Sequence, residues 1–161
     1  MDQWKQRFIN CLLSLIRKGE RLEGSPGAKA GESKLSFEPM TLQDLSTELV
    51  AVTDLRVQWR LVMEFLEEFR HEKSSTKLRL IATEPLLTHT RWDGFLAGLA
   101  EHLAGISRLP KPIWVDEPSR CLNETWFTNS LATAQRRALE NSPAAFRTRN
   151  IFLEPHDLEV A

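Results

Sequence analysis

Apolar residues recur at three- and four-residue intervals along most of this chain, and that spacing predicts helices. The strongest pattern runs from Thr90 to Ser107, where Trp92, Phe95, Leu96, Leu99, Leu103 and Ile106 fall on one helical face. Thr90 stands where an N-cap belongs. Asp93, three residues on, completes a capping-box pattern by accepting the Thr90 backbone N–H. Gly94, Gly98 and Gly105 line the opposite flank. Each interior glycine costs roughly 1 kcal/mol against alanine, and the missing side chains let a second helix come close. This helix is the expected axis of the fold, with Ile113-Trp114-Val115 and Thr125-Trp126-Phe127 folding back onto it.

The other segments arrange themselves around that axis. Residues 2–18 read as an amphipathic helix with Trp4, Phe8, Cys11, Leu12 and Leu15 in its stripe, stopped by Gly19. Residues 19–40 then turn to Gly, Ser, Lys, Glu and Pro, the chemistry of a flexible linker. A single helical domain is expected from 41 to 161, so that the first helix hangs on a tether. Thr41 with Asp44 opens a helix over about 41–52, and Thr53-Asp54 breaks it from a second over about 54–72. A short helix follows at about 75–83, ended by Glu84-Pro85. Ile113–Val115 reads as a short strand or extended segment, and Asp116 as the cap of a turn of helix containing Pro118. Thr128-Asn129-Ser130 caps a helix over about 131–141 with a small face of Leu131, Ala134 and Ala138. Ser142-Pro143 opens a short helix to Arg149, with Ser142 as N-cap, and Ile151–Leu153 is extended. The predicted class is all-α: an irregular helical bundle with one or two very short extended segments.

Composition narrows the function without naming it. At 161 residues and a net charge of −1, the chain suits one domain and carries no whole-molecule field toward nucleic acid or an anionic membrane. No apolar run approaches membrane-spanning length, and the charged first turns lack a signal peptide's apolar segment. The expected location is cytoplasmic, with Cys11 and Cys121 as reduced core residues. The glycine-rich stretch near Lys29 lacks both the spacing and the preceding strand of a phosphate loop. His71, His89, His102 and His156 lie far apart, Asp116 and Glu117 are better used as caps, and no nucleophile elbow occurs. No catalytic, cofactor-binding or metal-ligating residues are predicted, and no enzyme. His102 reads as a hydrogen-bonded residue at the core edge.

Arg136, Arg137, Arg147 and Arg149 form the most conspicuous local charge. A helix pair joined at Ser142-Pro143 displays all four on one side, with Trp126 and Phe127 nearby. Such a face either binds an acidic partner or pairs with the acidic side of the 54–72 helix, which carries Glu64, Glu67, Glu68 and Glu72. Five tryptophans without a single tyrosine add hot-spot material. The partner-binding candidates are therefore Trp4, Phe8, Leu12 and Leu15 on the first helix and Trp126, Arg136, Arg137, Arg147 and Arg149 on the body. The first helix is expected to lie in a groove by the helix-in-groove mode, on a partner or a second copy, with docking on its own body as the alternative.

The ordered series Arg56-Val-Gln-Trp-Arg-Leu-Val-Met-Glu-Phe-Leu-Glu-Glu-Phe-Arg70, Arg91-Trp-Asp-Gly-Phe-Leu-Ala-Gly-Leu-Ala-Glu-His-Leu103 and Ser142-Pro-Ala-Ala-Phe-Arg-Thr-Arg-Asn-Ile-Phe152 resembles a family of small uncharacterised bacterial proteins. So do Pro112-Ile-Trp-Val115 and Thr125-Trp-Phe127, and the likeness spans about residues 41–161. Members of that family accompany nucleotidyltransferase-like genes of the toxin–antitoxin kind, some with an added helix-turn-helix region. The resemblance implies an antitoxin-like module that binds and restrains an enzyme such as a nucleotidyltransferase-type toxin. The alternative is a DNA-binding transcriptional regulator, with the helices at 41–52 and 54–72 as its helix-turn-helix. A homodimer stays open in either case.

Overall fold

The computed structural model describes residues 38–159, so the predicted helix at 2–18, its stripe of Trp4, Phe8, Leu12 and Leu15, Cys11 and most of the linker lie outside the described residues. Within them the chain is helical, as its periodicity predicts. Helix α1 spans Leu42–Ala51, α2 Leu55–His71, α3 Ser74–Ala82 and α4 Arg91–Ile106. Two 3-10 turns follow, at Ile113–Asp116 and Pro118–Arg120, then strand β1 (Trp126–Phe127), α5 (Ala132–Asn141), α6 (Ala144–Arg147), β2 (Ile151–Phe152) and a last 3-10 turn at Pro155–Leu158.

Local chemistry sets the first corner. Thr41 and Asp44 satisfy one another's backbone N–H groups at 3.2 and 3.0 Å, the reciprocal cap the sequence predicts. The Asp54 side chain accepts the Arg56 N–H at 2.8 Å and starts α2. Between the two helices sits Gln58, which is buried. Its amide donates to Leu49 O at 2.9 Å and to Val52 O at 2.7 Å, satisfying carbonyls that the end of α1 leaves unpaired. Glu68 of α2 accepts the Met40 N–H at 2.7 Å and ties the entry of α1 to the far end of its neighbour.

Helix α4 is the axis. Eleven of its sixteen residues are buried, Trp92 to Ala100 without interruption, and it touches α1, α3, α6 and both middle 3-10 turns. An apolar helix with neighbours on every side is what its mostly small and apolar sequence allows. From α2 it receives Val62, Phe65, Leu66 and Phe69; from α3, Leu80 and Ile81; from α6, Phe146. Edge-on aromatic contacts bind the layers: Trp59 stands 5.9 Å from Trp92 and 5.4 Å from Phe95, and Trp92 stands 5.3 Å from Trp126.

The glycines of α4 divide by position. A Cβ at Gly98 would meet the Phe146 ring at 2.7 Å and Ala145 O at 3.2 Å, so α6 does come close there. At Gly94 the neighbours are Arg120 O and the Leu122 side chain, which belong to an irregular segment rather than to a second helix. Gly105 faces open space within 4 Å, and Ile106, expected on the core face, is 65% exposed. The bundle has ended before the last turn of α4, so the stripe continues with nothing left to cover it.

Four further expectations need correction. Ile113–Val115 is a 3-10 turn, whose Trp114 indole donates to Ile81 O at 3.2 Å. Asp116 belongs to that turn and pairs with Lys111 at 2.7 Å, so it caps nothing downstream. Helix α5 has no side-chain cap at Leu131; Asn129 accepts the Leu131 N–H instead, and Leu131, predicted on the small inner face, is 65% exposed. Ser142 closes a strand edge rather than opening α6: its hydroxyl donates to Ile151 O at 3.4 Å and accepts the Leu153 N–H at 3.3 Å. The strands themselves are two residues each, paired in parallel with Trp126 opposite Ile151 and Phe127 opposite Phe152.

Candidate functional site

The four arginines grouped by the sequence do not share a face. Arg149 is 4% exposed. The tight turn after α6, with Asn150 at φ 60°, sends it inward. Its guanidinium donates to Ala145 O and, at 2.6 Å, to Val115 O, and pairs with Glu101 of α4 at 2.7 Å. Three separate parts of the chain therefore meet on one side chain. Arg137 forms a two-pronged pair with Glu154, Nε to Oε2 at 2.8 Å and Nη2 to Oε1 at 2.9 Å. That contact holds the Glu154 carboxyl below its ordinary range and raises the guanidinium, chiefly through the hydrogen bond itself. Neither arginine pairs with the acidic side of α2. Arg136 and Arg147 remain exposed.

A second buried arginine was not singled out by the sequence. Arg120 is fully enclosed, over the Trp114 ring at 5.1 Å. It donates to Glu84 at 2.7 Å and to Pro85 O, and its Nη1 lies 4.0 Å from Asp93. Asp93 is itself buried and accepts the Thr88 N–H at 2.9 Å and the Thr88 hydroxyl at 2.8 Å. The predicted bond from the Thr90 N–H is replaced by these. His89, at φ 57°, turns the chain so that Thr88 rather than Thr90 presents its donors to Asp93, and the Thr90 hydroxyl accepts from Trp92 instead. The N-terminus of α4 is in this way pinned to the 84–90 connector and to the second 3-10 turn.

These pinned segments enclose an open cleft of about 720 Å³, with Leu87 to Asp93 along one wall and Pro118 to Trp126 along the other. Trp126 is half-buried in it. The Arg91 guanidinium lies over the Trp126 ring, 4.5 Å from its centre, a cation–π contact. Leu87, 40% exposed, and half-buried Leu122 supply apolar lining. Cys121 also lines the cleft and is exposed, where a core position was expected. It follows a turn whose inward residue is Arg120, so its own side chain faces out.

Of the residues predicted to bind a partner, Trp126 is the one found in this cleft. Arg91, Leu87 and Leu122 were missed. Arg91 could have been noticed as the charged first residue of the axial helix. The expected return of Thr125–Phe127 onto the axial helix is met at Trp126, 5.3 Å from Trp92, but nothing in the residue spacing brings 118–122 against 87–93. His102 is half-buried beside the Phe146 ring at 6.0 Å, and burial pushes its pKa down. The helices read as a helix-turn-helix pack on each other and on α4, with Gln58, Val62, Phe65, Leu66 and Phe69 of α2 turned inward. Among the described residues no group of histidine, cysteine and carboxylate side chains is arranged to hold a metal, and no helix is long and apolar enough to cross a membrane. No family model, curated protein or solved structure matches the chain.

Proposed function

We propose that this protein is an interaction module that holds an extended segment of a partner protein in the cleft between Leu87–Asp93 and Pro118–Trp126. The observation that carries the reading is the Arg91–Trp126 cation–π contact beside exposed Leu87 and half-buried Leu122. Tryptophan and arginine are the residues that most often dominate binding energy at protein interfaces, and adjacent apolar surface supplies the desolvated surround they need. The cleft's volume lies in the range of pockets that hold a few side chains. Its walls are fixed by Asp93 and Arg120 rather than by free loops, so little ordering cost falls on binding. The family resemblance supplies the partner to test first: a nucleotidyltransferase-type enzyme, restrained in an antitoxin-like manner in the bacterial cytoplasm.

Co-expression with the product of the neighbouring gene tests this. The expected result is a complex of defined stoichiometry in light scattering, lost in Leu87→Glu while the variant's melting temperature stays within a few degrees of the parent. Absence of a complex, or one indifferent to Leu87→Glu, overturns the proposal. A gel shift of the upstream DNA at physiological salt, falling steeply as salt rises, would favour the DNA-binding regulator instead.

A further inference from the structure

We infer that the segment accepted by the cleft is acidic and apolar in alternation, with a carboxylate meeting the edge of the Arg91 guanidinium and a leucine-like side chain lying between Leu87 and Leu122. The inference rests on the proposed docking role of the cleft and names the chemistry of its occupant.

Charge accounting within the cleft selects that chemistry. Asp93 is spent: it faces Thr88 and Arg120 and is 4% exposed. Arg91 is not. It is exposed, and no carboxylate of the described residues pairs with it. The Trp126 ring covers one side of the guanidinium at 4.5 Å, and no carboxylate of the described residues takes up its N–H donors, the fork that matches a carboxylate. The ring also holds the group in place, so that less rotamer freedom is lost when a carboxylate arrives. Glu124 is the other unspent charge in the lining, and it is an exposed side chain with no ring or partner to orient it. The pre-organised cation therefore sets the preference. An extended chain projects alternate side chains to opposite sides, so a leucine–glutamate alternation places one kind of group toward Leu87 and Leu122 and the other at the rim, where Arg91 lies.

The test uses three fluorescein-labelled peptides of equal length, alternating leucine with glutamate, lysine or serine, in anisotropy titrations against the full chain. The glutamate peptide is expected to bind about tenfold or more tightly than the serine peptide, a difference of about 1.4 kcal/mol. The lysine peptide should be weakest. Arg91→Gln should remove the preference, so that the glutamate and serine peptides bind that variant alike, and Arg91→Lys should restore only part of it because the fork is gone. Equal binding of all three peptides, or a preference for lysine, overturns the inference while leaving the cleft a docking site. No binding by any of them, at concentrations where Trp126 emission is also unmoved, removes the docking role and the inference together.

Discussion

The α5–α6 corner and the cleft at the head of α4 both carry arginine beside aromatic residues, and they use it in opposite ways. In the corner, Arg149 is drawn inward onto two backbone carbonyls and Glu101, and Arg137 is closed on Glu154. These arginines hold the chain together. At the cleft, exposed Arg91 lies over the Trp126 ring with no carboxylate of the described residues paired to it, while nearby Asp93 is answered from inside by Arg120 and Thr88. The difference shows that like charges clustered along a chain need not share one face. Irregular segments have carbonyls that no ladder satisfies, and a long side chain with five donors is the ready means of satisfying them. Arg91 keeps no such carbonyl or carboxylate among the described residues, at the first turn of α4.

The comparison breaks most visibly at Arg149. Replacing it with methionine should strand Glu101 and the carbonyls of Val115 and Ala145, at a cost of about 3–5 kcal/mol, as for other broken buried pairs. Arg136→Met, on the same arginine-rich stretch but exposed, should stay within about 0.5 kcal/mol of the parent. Urea denaturation monitored by tryptophan fluorescence measures both, and equal effects would mean that Arg149 is not a structural clamp.

The axis itself gives the next effect. Gly98→Ala forces a methyl group toward the rigid Phe146 ring, and overpacking of about 1–3 kcal/mol should outweigh the gain of about 1 kcal/mol in helix propensity. Gly105→Ala meets nothing within 4 Å and should stabilise by about 0.5–1 kcal/mol. Thermal melts of the two variants should therefore move in opposite directions.

Smaller effects follow from pH. The Glu154 carboxyl titrates below its ordinary 4.5 because of Arg137, so its contribution is complete above that value and is lost as pH falls through the lowered one. Arg137→Gln should flatten this acid limb. Burial depresses the His102 pKa below 6.5, so the folded state resists the proton that the unfolded chain takes up, and stability should begin to fall as pH drops below 6.5. His102→Gln should remove that second slope. Stability measured by denaturation at successive pH values reads both limbs.

How much of this the sequence carried depends on the length of the element. The helices with strong periodicity, their order and the corner at Asp54 were all legible, because apolar spacing and reciprocal caps act within one turn or two. The α4 stripe was legible as far as Leu103 and failed at Ile106, where periodicity outlasts the bundle. Shorter features misled. Ser142-Pro143 has the residues of a helix start, yet the serine hydroxyl serves β2, a contact spanning nine residues that no local rule anticipates. Gln58 drew no reading from the sequence and is the plug of the α1–α2 corner. Cys121, expected in the core, lines the open cleft because Arg120 before it takes the inward place. The cleft was illegible for a related reason. Its two walls meet through Asp93 and Arg120, Arg91 and Trp126, and Gly94 and Leu122, contacts between residues far apart in sequence.

The central claim is that binding occurs at the head of α4 and not on the arginines of the α5–α6 corner. Amide and indole chemical-shift mapping of the full chain, titrated with the leucine–glutamate peptide, tests it most directly. The account predicts shifts confined to the 87–93 and 118–126 walls, including the Trp126 indole, with the amides around Arg136 and Arg147 unmoved. Shifts centred on Arg136 and Arg147, with the cleft silent, would contradict it.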